Sequence, residues 1–213
     1  MNAASDAERV YGGRSASQRR ADRRGRLVTA GLDLFGDVGF AGSSIERLCA
    51  QATVSTRYFY EEFADRAALL RAVYDEVLAE AVRVALLPVL DPDPSLDPAE
   101  RTERAVRAYV AAVTTDPRRA RVVHREIRVV ASLEAHRRTT INGIAVQVRE
   151  SVGPGAPDQE QTWWVQSLAL IGAVSEVLAL WTAAPDPRPP IGPVTDVLVE
   201  FCARTLAGVF ASD

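Results

Sequence analysis

The side chains in this sequence best suited to chemistry are guanidinium groups and hydroxyls. Within residues 1–26 lie Arg9, Arg14, Arg19, Arg20, Arg23, Arg24 and Arg26, against Asp6, Glu8 and Asp22. That is a local charge of +4 in a chain of net charge −3, so the remainder carries −7. Every basic side chain is arginine, and clustered cations of this kind face phosphate or form a solvated surface. Hydroxyls cluster at Ser43-Ser44, and again at Ser55-Thr56 with Tyr58 and Tyr60. Cys49 and Cys202 are too few and too far apart for a disulfide framework, and read as small buried apolar side chains. His124 and His136 are too few to argue for a metal. There is no nucleophile motif, no phosphate-cradling glycine loop and no metal-ligand spacing. Glu126 and Glu176 stand in helical patterns without a visible partner. No catalytic residue, cofactor or metal is assigned, and an enzyme is the weakest of the functional classes.

Elements that could position these groups follow from periodicity and punctuation. With 213 residues, 47% hydrophobic and 25% charged, the chain can bury a substantial core as one large domain or as a small one joined to a larger. The N-terminus lacks the apolar centre of a secretory signal, and no apolar run approaches the roughly 18 residues of a membrane span. A cytoplasmic protein is expected. Residues 1–17 read as a flexible tail. From about Gln18, Leu27, Ala30, Gly31, Leu34, Phe35 and Val38 share one helical face, which Gly36 and Gly39 weaken and end. Ser43 and Glu46 form a capping-box signature for a short second helix. Ser55 can cap a third, Thr56 to Glu61, and Asp65 a fourth beginning near Arg66. Prolines at 88, 92, 94 and 98 mark a long connection. Helical patterns then run over about 98–115, 117–132, 133–152, 158–184 and 193–211, the last two joined by a stiff proline-rich loop. No alternating strand pattern appears, so the class is all-α.

Three short helices with a tight turn before the third suggest a helix-turn-helix. Over residues 23–75 the matching features are Ala30 with Leu34-Phe35, Gly39-Phe40, Ser43-Ser44-Ile45, Leu48-Cys49-Ala50, Val54-Ser55, Phe59-Tyr60, Phe63, Arg66 and Leu69-Leu70. In that order they resemble the DNA-binding region of the tetracycline-repressor (TetR) family. Thr53 stands where that family usually has a turn glycine, Glu61 and Glu62 where neutral or basic residues are commoner, and Arg66 where lysine is more frequent. The resemblance implies a recognition helix at about Ser55–Glu61. Arg57 is the first choice for reading a base, because its planar fork can donate twice to guanine. Thr56 and Tyr58 read bases or contact phosphate, while Ser43, Ser44, Tyr60 and Arg66 match positions that grip the backbone. Phe35, Phe40, Phe59 and Phe63 are expected in the core.

The expected organisation is a tail (1–17), a three-helix DNA-binding domain (18–64) and a larger helical ligand-binding and dimerisation domain (65–213). The resemblance implies a homodimer through the last two helices, with Leu168, Gly172, Ala173, Ser175, Ala179 and Leu180 on the first and Val197, Phe201, Thr205 and Phe210 on the second. It also implies operator DNA and a small-molecule effector as partners. Tyr109, His124, Trp163 and Trp164 are candidates to line the effector pocket, since aromatic and isolated polar groups commonly do so; core packing is the other reading of each. Repression by a dimer on a palindromic operator is the default function, and a helical sensor that has lost DNA binding is the alternative.

Overall fold

Ser15 starts the first helix with a capping box. Its Oγ accepts from the Gln18 amide at 3.1 Å, and its own amide donates to Gln18 Oε1 at 2.8 Å. The computed structural model describes residues 15–90, 96–152, 160–185 and 187–210, so the tail before Ser15 lies outside the described residues. The helices are α1 (Ala16–Asp37), α2 (Ile45–Ala52), α3 (Thr56–Glu62), α4 (Arg66–Leu86), α5 (Pro98–Thr114), α6 (Pro117–Arg121), α7 (Glu134–Val152), α8 (Glu160–Ala183) and α9 (Ile191–Phe210). No strand occurs among the described residues.

The N-terminal unit closes around side chains from all four of its helices: Leu27, Phe35, Leu48, Phe59, Leu69 and Leu70 are each 0% exposed. Gly31 permits a close approach of α1 and α4, because a Cβ there would lie 2.9 Å from Val73 Cγ2. Thr53 supplies the turn between α2 and α3 at φ 52°, ψ 49°, the one non-glycine positive φ among the described residues. Ser55 and Asp65 cap α3 and α4 as expected, accepting from the amides of Tyr58 (3.4 Å) and Ala68 (2.8 Å).

The start of α2 corrects the sequence reading by one residue. Ser44, not Ser43, is the cap, with its Oγ accepting from the Arg47 amide at 3.3 Å. Ser43 is buried and its hydroxyl donates to the Phe40 carbonyl at 2.8 Å.

Packing divides the chain between Val73 and Tyr74, inside α4, rather than at the expected 64/65. Leu69, Leu70 and Val73 complete the N-terminal core, so the first part of α4 belongs to it. In the second unit α5 lies along α9, and Val113, Leu178, Leu198 and Cys202 share a buried cluster. The pattern at 117–132 is not one regular helix. After α6 comes a π-helical turn, Val122–Glu126, then one helical turn at Ile127–Val129. Val122, Val123, His124, Glu126 and Ile127 are all buried, which the face of a regular 3.6-residue helix does not accommodate.

One expectation about α8 also changes. Gln161–Ala183 is long and apolar enough, by length and composition, to cross a membrane, with mean hydropathy 1.5. Its apolar side chains lie on more than one face: Val174 and Leu178 are buried in the unit, while Trp164, Val165 and Leu180 are exposed at 48%, 52% and 65%.

Candidate nucleic-acid interface and body cavity

Helix α3 is short, so its orientation depends on anchors. Phe59 is wholly buried and Phe63 is 5% exposed, with ring centroids 5.9 Å apart. With that face fixed inward, Thr56, Arg57, Tyr58 and Tyr60 are exposed. Arg57 Nε lies 3.3 Å from Glu61 Oε1 one turn on, and its side chain is 86% exposed. The helix therefore offers a guanidinium, two phenols and a threonine hydroxyl from one rigid rod, a donor set that matches base edges and phosphate oxygens.

The arginines of α1 hold this rod. Arg20 Nε meets Glu62 Oε1 at 2.7 Å, and Arg20 Nη2 donates to the Glu61 carbonyl at 3.4 Å. The Arg23 guanidinium sits 4.3 Å from the Tyr58 ring centroid and that of Arg24 4.7 Å from Phe63. Arg26 donates to the Thr53 carbonyl at 3.3 Å. Glu62 thus answers a cation within the protein, with its side chain 4% exposed. Sequence reasoning missed this clamp, because its members lie some forty residues apart.

The residues expected to grip phosphate separate into two groups. Tyr60 lies at the surface at 57% exposure and Ser44 is half-buried. Ser43 and Arg66 are built into the turn between α1 and α2. Arg66 Nη1 donates to the carbonyls of Phe40 (3.0 Å) and Ser43, and its guanidinium lies over the Phe40 ring. Phe40 is consequently half-buried rather than fully internal. Beside them, Glu46 is held below the usual carboxylate range by its own amide and then by the Ser44 hydroxyl, as expected of an acid in a first turn.

The second unit encloses a cavity of about 380 Å³. Of the four candidate pocket residues, Tyr109 and His124 line it, and Trp163 and Trp164 do not. Trp163 is buried elsewhere on α8 at 3% exposure, and Trp164 points outward. The polar groups are linked: Tyr109 Oη lies 3.4 Å from His124 Nε2, His124 Nδ1 3.1 Å from Ser175 Oγ, and Arg128 Nη2 donates to that same oxygen at 3.2 Å. Ser175 therefore faces the cavity. Burial pushes His124 down to about 3, with the Arg128 charge adding to it, so the imidazole is neutral. Burial likewise raises Tyr109 above the usual phenol range and Tyr74 to about 12. His136 instead contacts Asp75 at 2.5 Å. Among the described residues no group of three or more His, Cys, Asp or Glu gathers to hold a metal ion.

A clamped, outward-facing helix after a tight turn, joined to a helical body with its own cavity, defines a DNA-binding transcriptional regulator. Residues 27–73 match the model for bacterial regulatory proteins of the tetR family, so the chain carries that family's N-terminal DNA-binding region. A solved TetR-like regulator from Rhodococcus sp. RHA1 is 25% identical over 87% of this chain and 96% of its own, with a TM-score of 0.59. A second Rhodococcus regulator is 20% identical over 89% and 99%, at TM-score 0.64. Bacillus subtilis FadR, solved in complex with stearoyl-CoA, shares the fold at 14% identity over 84% and 97%, with TM-score 0.65. No curated protein matches the chain in sequence.

Proposed function

We propose that the chain is a cytoplasmic, ligand-responsive repressor that binds a palindromic operator as a homodimer, one α3 entering the major groove at each half-site. The observation that carries this is α3 itself, fixed behind by Phe59 and Phe63 and exposing Thr56, Arg57, Tyr58 and Tyr60 in front. Arg57 reads a base, Thr56 and Tyr58 contact base or phosphate, and Tyr60 and Ser44 meet the backbone. Ser43 and Arg66 act by holding the turn that presents Ser44. Trp164, Val165 and Leu180 on α8, with Val197 and Phe201 on α9, are exposed in the single chain and supply the face for the second copy. Large apolar side chains exposed together on a helix mark an interaction surface. The cavity receives the effector; Bacillus subtilis FadR, which shares the fold, was solved in complex with stearoyl-CoA. An effector that binds the operator-incompetent state more tightly releases the DNA.

Binding to the protein's own upstream intergenic DNA, followed by fluorescence anisotropy over a salt series, tests the interface. Affinity is expected to fall linearly on a log–log salt plot. Arg57→Ala should relax preference at one operator position by about 1–3 kcal/mol. Salt-independent association, or an unchanged footprint for the variant, counts against this assignment.

A further inference from the structure

The cavity has a direction, and that direction selects a ligand class; the selection rests on the cavity being the effector site. On α4, Tyr74 is followed along the same wall by Leu78, Val82 and Leu86, a stripe of roughly 18 Å of helix. On α7, Arg137 is followed by Ile141, Ile144 and Val148, another roughly 16 Å. On α8 the gradient runs in the reverse chain sense, Ser175 following Leu170 and Ile171; on α5 Tyr109 follows Ala105 and Val106, and Arg101 and Thr102 line the cavity about two turns before it. The polar ends meet. Tyr109, His124, Ser175 and Arg128 form one hydrogen-bonded series, and Tyr74 and Arg137 line the same cavity. Long aliphatic walls therefore lead from the hydrogen-bonded polar end toward Arg101 and Thr102.

Charge sharpens the choice. Among the described residues Arg101, Arg128 and Arg137 line the cavity, and no Asp or Glu does. The carboxylates that pair with Arg137 and Arg128 are Glu134 and Glu176, outside the lining and 44% and 59% exposed. A cation placed here would lose water without gaining a counter-ion from the lining, whereas an anion can share the guanidinium groups of Arg128 and Arg137 with their exposed carboxylate partners. Among the described residues the long walls hold no ring on which a planar ligand would stack. The volume of about 380 Å³ is near the lower bound of small-molecule sites, about 300–1,000 Å³.

We infer that the effector is a linear aliphatic carboxylate of medium length, its head group at the Arg128–Arg137 end and its tail along α4 and α7. Arg101, whose Nε donates to the Leu96 carbonyl at 3.2 Å, precedes Tyr109 by two helical turns and serves as the comparison site.

Calorimetric titration of the full chain with decanoate, 1-decanol and decylamine tests the class directly, and operator release is measured separately with each. Decanoate is expected to bind at least tenfold more tightly than 1-decanol, and decylamine not at all. Arg137→Gln should bring decanoate to the affinity of the alcohol while leaving the alcohol unchanged, and Arg101→Gln should keep the preference. Equal or tighter binding of the alcohol or the amine overturns the inference, as does no binding of decanoate, or loss of the preference in the Arg101 variant alone. Should decanoate bind with this preference yet leave operator affinity unchanged, the ligand class holds and the effector role falls. Release of the operator by a compound of another class, with decanoate inert, retains the effector role and overturns the class.

Discussion

At the scale of single residues, Thr53 and His124 occupy positions that their side chains do not favour. Thr53 is β-branched and left-handed at φ 52°, a conformation costing about 1–2 kcal/mol for an L-residue. Glycine removes that strain but adds unfolded-state entropy of roughly 0.5–1 kcal/mol. Thr53→Gly should therefore stabilise the protein by up to about 1 kcal/mol in urea unfolding, and a loss of stability would show that the threonine side chain contributes something the strain argument omits. His124 presents a pH effect of definite sign. Its folded value, about 3, lies below its ordinary 6.5, so the unfolded chain takes up a proton that the folded chain refuses. The stability is fully present above about pH 6.5 and drains as pH falls toward about 3, at up to about 1.4 kcal/mol per pH unit. His124→Gln should flatten the fall of the urea midpoint between about pH 6.5 and pH 5; parallel curves for variant and parent would refute a neutral buried imidazole. The special turn at Thr53 was legible because a known pattern has glycine there. The one-residue exchange of roles between Ser43 and Ser44 was not, since adjacent serines differ only in which one the preceding turn buries.

At the scale of elements, helix existence was legible throughout and partnership between helices was not. Ser55 and Asp65 mark starts because capping is a local event. The departure at 122–126, where a π turn interrupts the pattern, depends on which side chains the body buries, information that no local window carries. The same holds for Arg20 and Glu62. In sequence Glu62 reads as an acid where neutral or basic residues are commoner; in the fold it faces a cation of α1. A double-mutant cycle on Arg20→Ala and Glu62→Ala should return a coupling of about 0.5–1 kcal/mol in unfolding, modest because Arg20 is largely exposed. Coupling near zero, with operator affinity raised by Glu62→Ala, would make the acid a simple electrostatic opponent of binding. Arg66 belongs to the same scale. It joins the start of α4 to two carbonyls before α2, and charged hydrogen bonds of this kind are worth about 1.5–3 kcal/mol. Arg66→Met should lower stability by a comparable amount while leaving the salt slope of operator binding unchanged; a slope reduced by about one, at unchanged stability, would return Arg66 to the phosphate backbone.

At the scale of the whole molecule, one helix belongs to two units. Leu69, Leu70 and Val73 of α4 are buried in the N-terminal core, and Tyr74 and Leu78, immediately after, line the body cavity. A ligand that displaces the second group acts on the same continuous helix that bears the first. The remaining requirement is symmetry, because two recognition helices spaced about 34–36 Å apart match successive major grooves. Helices α8 and α9 leave Leu180 65% and Val197 66% exposed, and each is a large apolar side chain on a long helix. A glutamate at either position costs a lone chain little, since the replaced side chain was already in water, but places a charge inside any two-fold interface formed there. Leu180→Glu and Val197→Glu should therefore remain folded while sedimenting as monomers at micromolar concentration, with a urea midpoint lowered only by the lost association and independent of protein concentration. Their operator affinity should fall by about 10²–10⁴-fold, the factor lost when a second half-site is no longer held at high effective concentration. Both variants remaining dimeric with parental affinity would move the interface off this face. Monomers that keep parental affinity would show that one α3 suffices, and the palindromic operator would lose its physical basis.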